Sequence, residues 1–207
     1  GQILIADETS GSIRSFDPLT GVVDTIAGGG GFGHQDGVGA AAAFGEVQVV
    51  VVDDDGIIWV VDPSFCALRT IDADNRVRTV LGGPDRCGIV DGEAAVAKLQ
   101  QVFSIDRLAD GRLVITDAFS SRVATWNPRG GLLTSVIVGD FDEVDGPLAT
   151  AHIRSPREAF VVGTEAVAVI DAGGSRAVGE AVYLAIRART DLPLRALVLT
   201  HMHPDHV

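Results

Sequence analysis

Short runs of valine, isoleucine and leucine alternate with clusters of glycine, aspartate and asparagine along the first three quarters of the chain. β-Branched residues fit a pleated, half-buried surface, and the small polar ones supply turn conformations, so this pattern predicts short strands joined by tight turns. One stretch carries four such runs in succession, at about 47–52, 57–61, 67–71 and 77–81. The pattern then repeats. Gly1-Gln2-Ile3-Leu4-Ile5-Ala6-Asp7, Gly56-Ile57-Ile58-Trp59-Val60-Val61-Asp62 and Gly111-Arg112-Leu113-Val114-Ile115-Thr116-Asp117 superimpose at offsets of 55 and 55. Ile13-Arg14, Leu68-Arg69 and Val123-Ala124 keep the same step, as do Asp17, Asp72 and Asn127. The pairs Asp36-Gly37, Asp91-Gly92 and Asp145-Gly146 lie 55 and 54 apart, each followed by a small helix-like stretch at 40–44, 94–99 and 148–153.

A four-stranded unit repeating at this length, with no helical heptads between, predicts a mainly β fold of propeller blades; a tandem β-sandwich is the alternative. Over about residues 1–165 the repeat resembles the NHL-repeat family, in a longer variant with an Asp-Gly and alanine-rich insertion. The resemblance implies a ring whose face binds a small-molecule or protein ligand. A closed ring typically needs at least four blades, whereas this chain starts inside one, contains two more and begins another. With Gly1-Gln2 leading and no methionine, a fragment or processed chain is expected. The flanking sheets of an incomplete ring would expose apolar faces, which missing blades or a partner should cover.

Past residue 158 the pattern changes. Val167-Ala168-Val169-Ile170 reads as a buried strand and Asp171-Ala172-Gly173-Gly174 as a tight turn. Ser175 can cap a helix over about 176–190, with Val178, Val182, Ala185 and Ile186 at helical spacing, and Asp191-Leu192-Pro193 ends it. A second strand at about 195–199 leads into Thr200-His201-Met202-His203-Pro204-Asp205-His206. Alternation along an extended segment turns His201 and His203 to one side, where both can meet one ion. Pro204 helps turn the chain, placing Asp205 and His206 toward a second ion or the other side of the first. Three imidazoles and a carboxylate suit one or two zinc ions best, with iron or manganese as alternatives. The plainer reading is a polar loop of hydrogen-bonded histidines.

This run resembles the Thr-His-x-His-x-Asp-His signature of the metallo-β-lactamase superfamily, and the resemblance extends upstream over about fifty residues. It implies that 158–207 begins an αββα fold. In that fold His201 and His203 would bind one metal, while Asp205 and His206 would serve the second metal or the attacking water, with Asp205 as the catalytic carboxylate. It also implies a structural role beside the metal for Asp171. The expected organisation is therefore a repeat domain over 1–157 and a hydrolase-like segment over 158–207. Both templates claim residues in the junction 158–175. The superfamily completes its metal sites with later residues that do not occur in this chain, so the expected behaviour is weak zinc binding without turnover.

Composition adds exclusions. The hydrophobic share of 46% can build a core, and no apolar run is long enough to span a membrane. The net charge of -12 is unevenly held, because residues 1–155 carry 11 basic and 22 acidic side chains while 156–207 carry 5 and 6. The repeat is thus a poor partner for nucleic acid or an anionic membrane. Asp53-Asp54-Asp55 reads as a turn rather than a calcium site, and Gly28 to Gly31 lacks the Lys-Ser or Lys-Thr of a phosphate loop. His34 and His152 read as surface residues near the Asp-Gly loops. Cys66 and Cys87, 21 residues apart, could bridge a strand to the following loop, but two thiols define no disulfide framework and no compartment. Two functions remain: part of a metal-dependent hydrolase carrying a propeller as binding module, or a non-enzymatic propeller that binds a protein or ligand.

Overall fold

The computed structural model describes residues 1–139, 144, 147, 150–156 and 159, and the backbone of 169–170 and 197–198. The helix expected over 176–190 lies outside the described residues. The first sheet has three antiparallel strands in the order β1-β2-β3: β1 (Ile3–Asp7), β2 (Ser12–Asp17) and β3 (Val22–Gly28). The second is built from β4 (Gly37–Val38), β5 (Val49–Val52), β6 (Ile58–Asp62), β7 (Ala67–Ile71) and β8 (Arg76–Gly82), in the order β4-β8-β7-β6-β5. The third contains β9 (Gly92–Glu93), β10 (Val102–Arg107), β11 (Leu113–Asp117), β12 (Arg122–Asn127) and β13 (Leu132–Val138), in the order β10-β11-β12-β13-β9.

The repeat thus folds as up-and-down meanders, and the aspartates 55 residues apart occupy one place in each. Asp7 lies opposite Ser12, Asp62 opposite Ala67 and Asp117 opposite Arg122. Strands β1, β2 and β3 correspond to β6, β7 and β8 in the second sheet and to β11, β12 and β13 in the third. Two expectations need correction. The second and third sheets have five strands, because the residues at Asp36-Gly37 and Asp91-Gly92 run back along the outer strand: β4 pairs with β8 and β9 with β13. The helix-like stretches after them are not α-helical: Gly39–Ala41 forms a single 3-10 turn, and 94–99 is a turn followed by isolated bridges. Alanine content favours a helix locally. The chain must instead cross from β4 to β5, and from β9 to β10, at opposite edges of one sheet, while some of its carbonyls are taken by other partners.

Strand alternation explains how the sheets stack. In β6, Val60 faces one way and joins a buried cluster with Ile13, Ala27 and Phe44. Its neighbours Trp59 and Val61 face the other way and join Val102, Ile105 and Ile115. Successive residues of a strand point to opposite faces, so the second sheet is covered on both by its neighbours and reads as an unbroken apolar run. The crossing loops take part as well: Ala42 and Phe44 fill the first interface, Ala97 and Leu99 the second.

Two local devices shape the corners. β3 and β8 end on Gly28 and Gly82, at φ 84° and 76°, where a Cβ would stand 2.3 Å from the Gly11 carbonyl oxygen and 1.9 Å from that of Cys66. Only glycine permits that conformation and approach. Cys66 and Cys87 form a disulfide with Cα atoms 5.3 Å apart, joining the turn after β6 to the loop that crosses into the third sheet. The sequence allowed this bridge without requiring it.

Leu99 is fully buried between the second and third sheets. Leu99→Ala should lower the free energy of unfolding by about 2–5 kcal/mol, measured by denaturant titration. A loss below about 1 kcal/mol would show that the crossing loop is not part of the core.

Candidate functional site

The metal motif residues His201, His203, Asp205 and His206, with Asp171, lie outside the described residues. The backbone leading to them is described in part. β14 (Val169–Ile170) and β15 (Leu197–Val198) pair in parallel, with Val169 opposite Leu197 and Ile170 opposite Val198. Their carboxyl ends therefore share one edge. Asp171 follows β14 directly in sequence, and His201 comes three positions after Val198. Parallel strands need a crossover connection, and sites in α/β folds gather beyond the carboxyl ends of such strands. Among the described residues no group of three or more His, Cys, Asp or Glu is placed to hold a metal.

The polar centres that the structure does show are two buried arginines. Arg69 on β7 is 0% exposed. Its Nη1 donates to the Ala43 carbonyl at 2.6 Å and stands 3.4 Å from Asp62 Oδ2. Its Nη2 donates to the Gln35 carbonyl at 2.7 Å and to Asp36 Oδ1 at 2.8 Å. The guanidinium also lies 4.4 Å from the centroid of the Phe44 ring, within cation–π range. Asp36 in turn accepts the Thr79 amide at 2.8 Å and the Thr79 hydroxyl at 3.0 Å.

The third sheet repeats the arrangement with altered residues. Arg122 Nη2 meets Asp91 Oδ1 at 2.5 Å and its Nη1 donates to the Lys98 carbonyl. Asp91 accepts the Ser135 amide at 2.8 Å and the Ser135 hydroxyl at 2.9 Å. The 55-residue comparison hides this equivalence. Arg69 lies opposite Val60, and the matching pair in the third sheet is Ile115 with Ala124. The arginine has moved two positions along β12, which keeps it on the same face, and an offset of 53 lies outside the repeat. Sequence reasoning marked Arg69 only as a repeat position and missed the role of both arginines, although each follows an aspartate on the preceding strand.

The aspartates ending β6 and β11 turn inward. Asp62 is fully buried and accepts the Gly45 amide at 3.2 Å, while Asp117 accepts the amides of Gln100 and Gln101 at 2.7 and 2.9 Å. Burial pushes the Asp62 carboxyl above its usual range, with the Gly45 amide and Arg69 pulling it back. In the first sheet the same pairing is open: Arg14 lies 3.6 Å from Asp7, both partly exposed. Asp53 accepts the Asp55 and Ile57 amides at 3.0 and 2.9 Å, a turn closed by its own side chain. His152 exchanges backbone hydrogen bonds with Val144 at 3.1 and 2.9 Å, repeating the bridges of Gln35 with Ala43 and Val90 with Lys98.

His34 is not a plain surface residue. Its Nε2 lies 3.1 Å from Thr79 Oγ1, and its ring packs 5.3 Å from Phe65. The Thr79 hydroxyl donates to Asp36, so His34 must donate from Nε2, which leaves a buried, unprotonated Nδ1 with no partner among the described residues. Burial, and then the charge of Arg69, hold the imidazole below its ordinary value of 6.5. A lowered pKa means that below 6.5 the unfolded chain binds more protons than the folded one, so stability falls as pH falls through that range. Chemical denaturation at several pH values between about 5 and 7 should show this slope, and His34→Gln should flatten it. An unchanged slope would remove His34 as its source.

Comparisons with known proteins bear on the C-terminal segment and on the fold. Residues 155–207 match the sequence profile of the metallo-beta-lactamase superfamily. The Arabidopsis thaliana protein SUPPRESSOR OF QUENCHING 1, chloroplastic, is 30% identical over 127 residues, covering 58% of this chain. The chain spans 12% of the length of that relative. A structural genomics protein of unknown function from Bacteroides thetaiotaomicron superposes with a TM-score of 0.64 at 17% identity, over 79% of this chain and 40% of that one. An auxiliary nutrient binding protein from the same organism gives 0.60 at 14% identity, over 77% and 40%. At such identities the likeness concerns the fold, and these neighbours are propeller-like. The chain is a mainly β, propeller-like repeat of about 55 residues per blade, followed by a C-terminal segment that matches the metallo-beta-lactamase superfamily.

Proposed function

We propose that this chain is part of a metal-dependent hydrolase whose blades, of NHL type, serve as its binding module. The observation that carries the reading is the superfamily match over residues 155–207, which ends on His201, His203, Asp205 and His206. The parallel pairing of β14 with β15 supports it, since it brings the strand before Asp171 and the strand before His201 to one sheet edge. The domain boundary falls near residue 158, just past the third Asp-Gly insertion. The donor set fits zinc: neutral imidazoles with one carboxylate match its preference for nitrogen and oxygen ligands. A bound zinc ion lowers the pKa of its water toward neutrality and polarises a scissile carbonyl or ester.

This chain's own residues have separable parts in the proposal. His201 and His203, two apart on an extended segment, hold the ion from one side. Asp205 orients the attacking water and takes its proton, and His206 supplies a further nitrogen ligand. Asp171 steadies the ligands through hydrogen bonding rather than by direct coordination. The blades present loops to the substrate or to a protein partner. Their acidic balance disfavours nucleic acid, given 22 acidic against 11 basic side chains over residues 1–155.

One short loop leaves an ion largely solvated, so the 207-residue chain should bind zinc weakly and turn over no ester, thioester or lactam. Calorimetric titration with zinc should show saturable binding by the chain that is lost in the His201→Ala, His203→Ala variant. Identical isotherms would remove the two histidines as ligands.

A further inference from the structure

At the end of the sheets opposite the crossing loops, the hairpin turns of the second and third sheets enclose a cleft of about 210 Å³. One wall carries Asp53 and Asp55 from the turn after β5, with Trp59 behind them. The other carries Arg107 at the end of β10 and Pro128 and Arg129 from the turn after β12. Two carboxylates thus face two guanidinium groups, which makes the lining neutral overall.

The four charges are not equivalent. Asp53 is engaged in its own turn: Oδ1 accepts the Asp55 and Ile57 amides, and Oδ2 accepts the Trp59 indole N–H at 2.9 Å. Arg107 is engaged by Asp54 at 2.8 Å. The Asp55 carboxylate and the Arg129 guanidinium remain, both exposed and neither with a hydrogen-bonding or ionic partner among the described residues. They border the same cleft without pairing with each other. A ligand that forms an ion pair with each of them carries one positive and one negative group. The volume is below the roughly 300–1,000 Å³ typical of drug-sized sites, which favours a small ligand. Pro128, Leu113 and the Trp59 ring offer it a short apolar surface.

We propose that this cleft binds a small zwitterion of the α-amino acid class, with the carboxylate on Arg129, the ammonium on Asp55 and an aliphatic side chain toward Pro128 and Trp59. Guanidinium recognises a carboxylate through paired N–H donors, and an ammonium is met by a single carboxylate. Because both charges stay partly in water, affinity should be modest, with Kd on the order of 1 mM. The inference is independent of the metal motif.

The test is an NMR titration of the whole chain with L-valine, isobutylamine and isovalerate, three molecules that share an aliphatic group and differ in the charges they carry. The indole N–H of Trp59, held against Asp53, is the reporter. L-Valine should shift it saturably, and the amine and the acid should each bind about fivefold or more weakly. Asp55→Asn and Arg129→Gln, both at exposed positions, should each weaken L-valine binding by a similar factor while leaving the rest of the spectrum in place. Isovalerate binding as well as L-valine would overturn the role of Asp55, and isobutylamine doing so would overturn that of Arg129. No saturable shift by L-valine up to about 50 mM, or binding unaffected by both substitutions, would overturn the site.

Discussion

A guanidinium buried to 0% exposure must find its partners inside the protein, and in this chain those partners are what fix the crossing loops to the sheets. Arg69 donates to two backbone carbonyls and Arg122 to one from the loop that enters its own sheet, and each also meets the aspartate of the Asp-Gly pair in that loop. The aspartate completes the link by accepting an amide and a hydroxyl from the outer strand, Thr79 in one case and Ser135 in the other. The arginines are buried while Asp36 and Asp91 are 45% and 43% exposed, so removing the aspartate leaves a buried donor without its partner, which typically costs about 1–3 kcal/mol. The loop and strands β7 and β8, and likewise β12 and β13, are thereby held as one unit.

The apolar interior depends on the same link. The loops that the arginines hold carry Ala42 and Phe44 into the first interface and Ala97 and Leu99 into the second. Each loop segment therefore has a polar anchor on one side and buried side chains on the other. The disulfide from Cys66 to Cys87 adds a covalent tie to the second loop, and Gly28 and Gly82 let the chain turn sharply where each loop begins. Phe44 belongs to both systems, packed in the core and lying against the Arg69 guanidinium.

The strands were legible because the β-branched runs and the turn residues agree with each other and recur at a fixed interval. The expected run at 67–71 is Ala67–Ile71 in the structure, and the expected 77–81 is Arg76–Gly82. What escaped was whatever depends on side chains far apart in sequence. Arg69 reaches Asp36 across 33 positions, and its counterpart Arg122 sits two residues out of step with the repeat. Two-residue strands such as β4 and β9 leave no periodicity to read. The C-terminal resemblance to the metallo-beta-lactamase superfamily was legible for the opposite reason: its histidines and aspartate crowd into six consecutive positions, so no tertiary contact is needed to see them. His34 was misread as a surface residue because its burial comes from Phe65 and Thr79, which are 31 and 45 positions away.

The claim that a buried arginine couples each crossing loop to its sheet is tested most directly by a double-mutant cycle on the third sheet. Stability would be measured by denaturant unfolding for the parent chain, Asp91→Asn, Arg122→Met and the double variant. The account predicts that the two substitutions are strongly non-additive, with a coupling free energy of about 1.5 kcal/mol or more. Additivity within about 0.5 kcal/mol would contradict it, since it would mean that Asp91 and Arg122 stabilise the protein independently and that no link runs between loop and sheet.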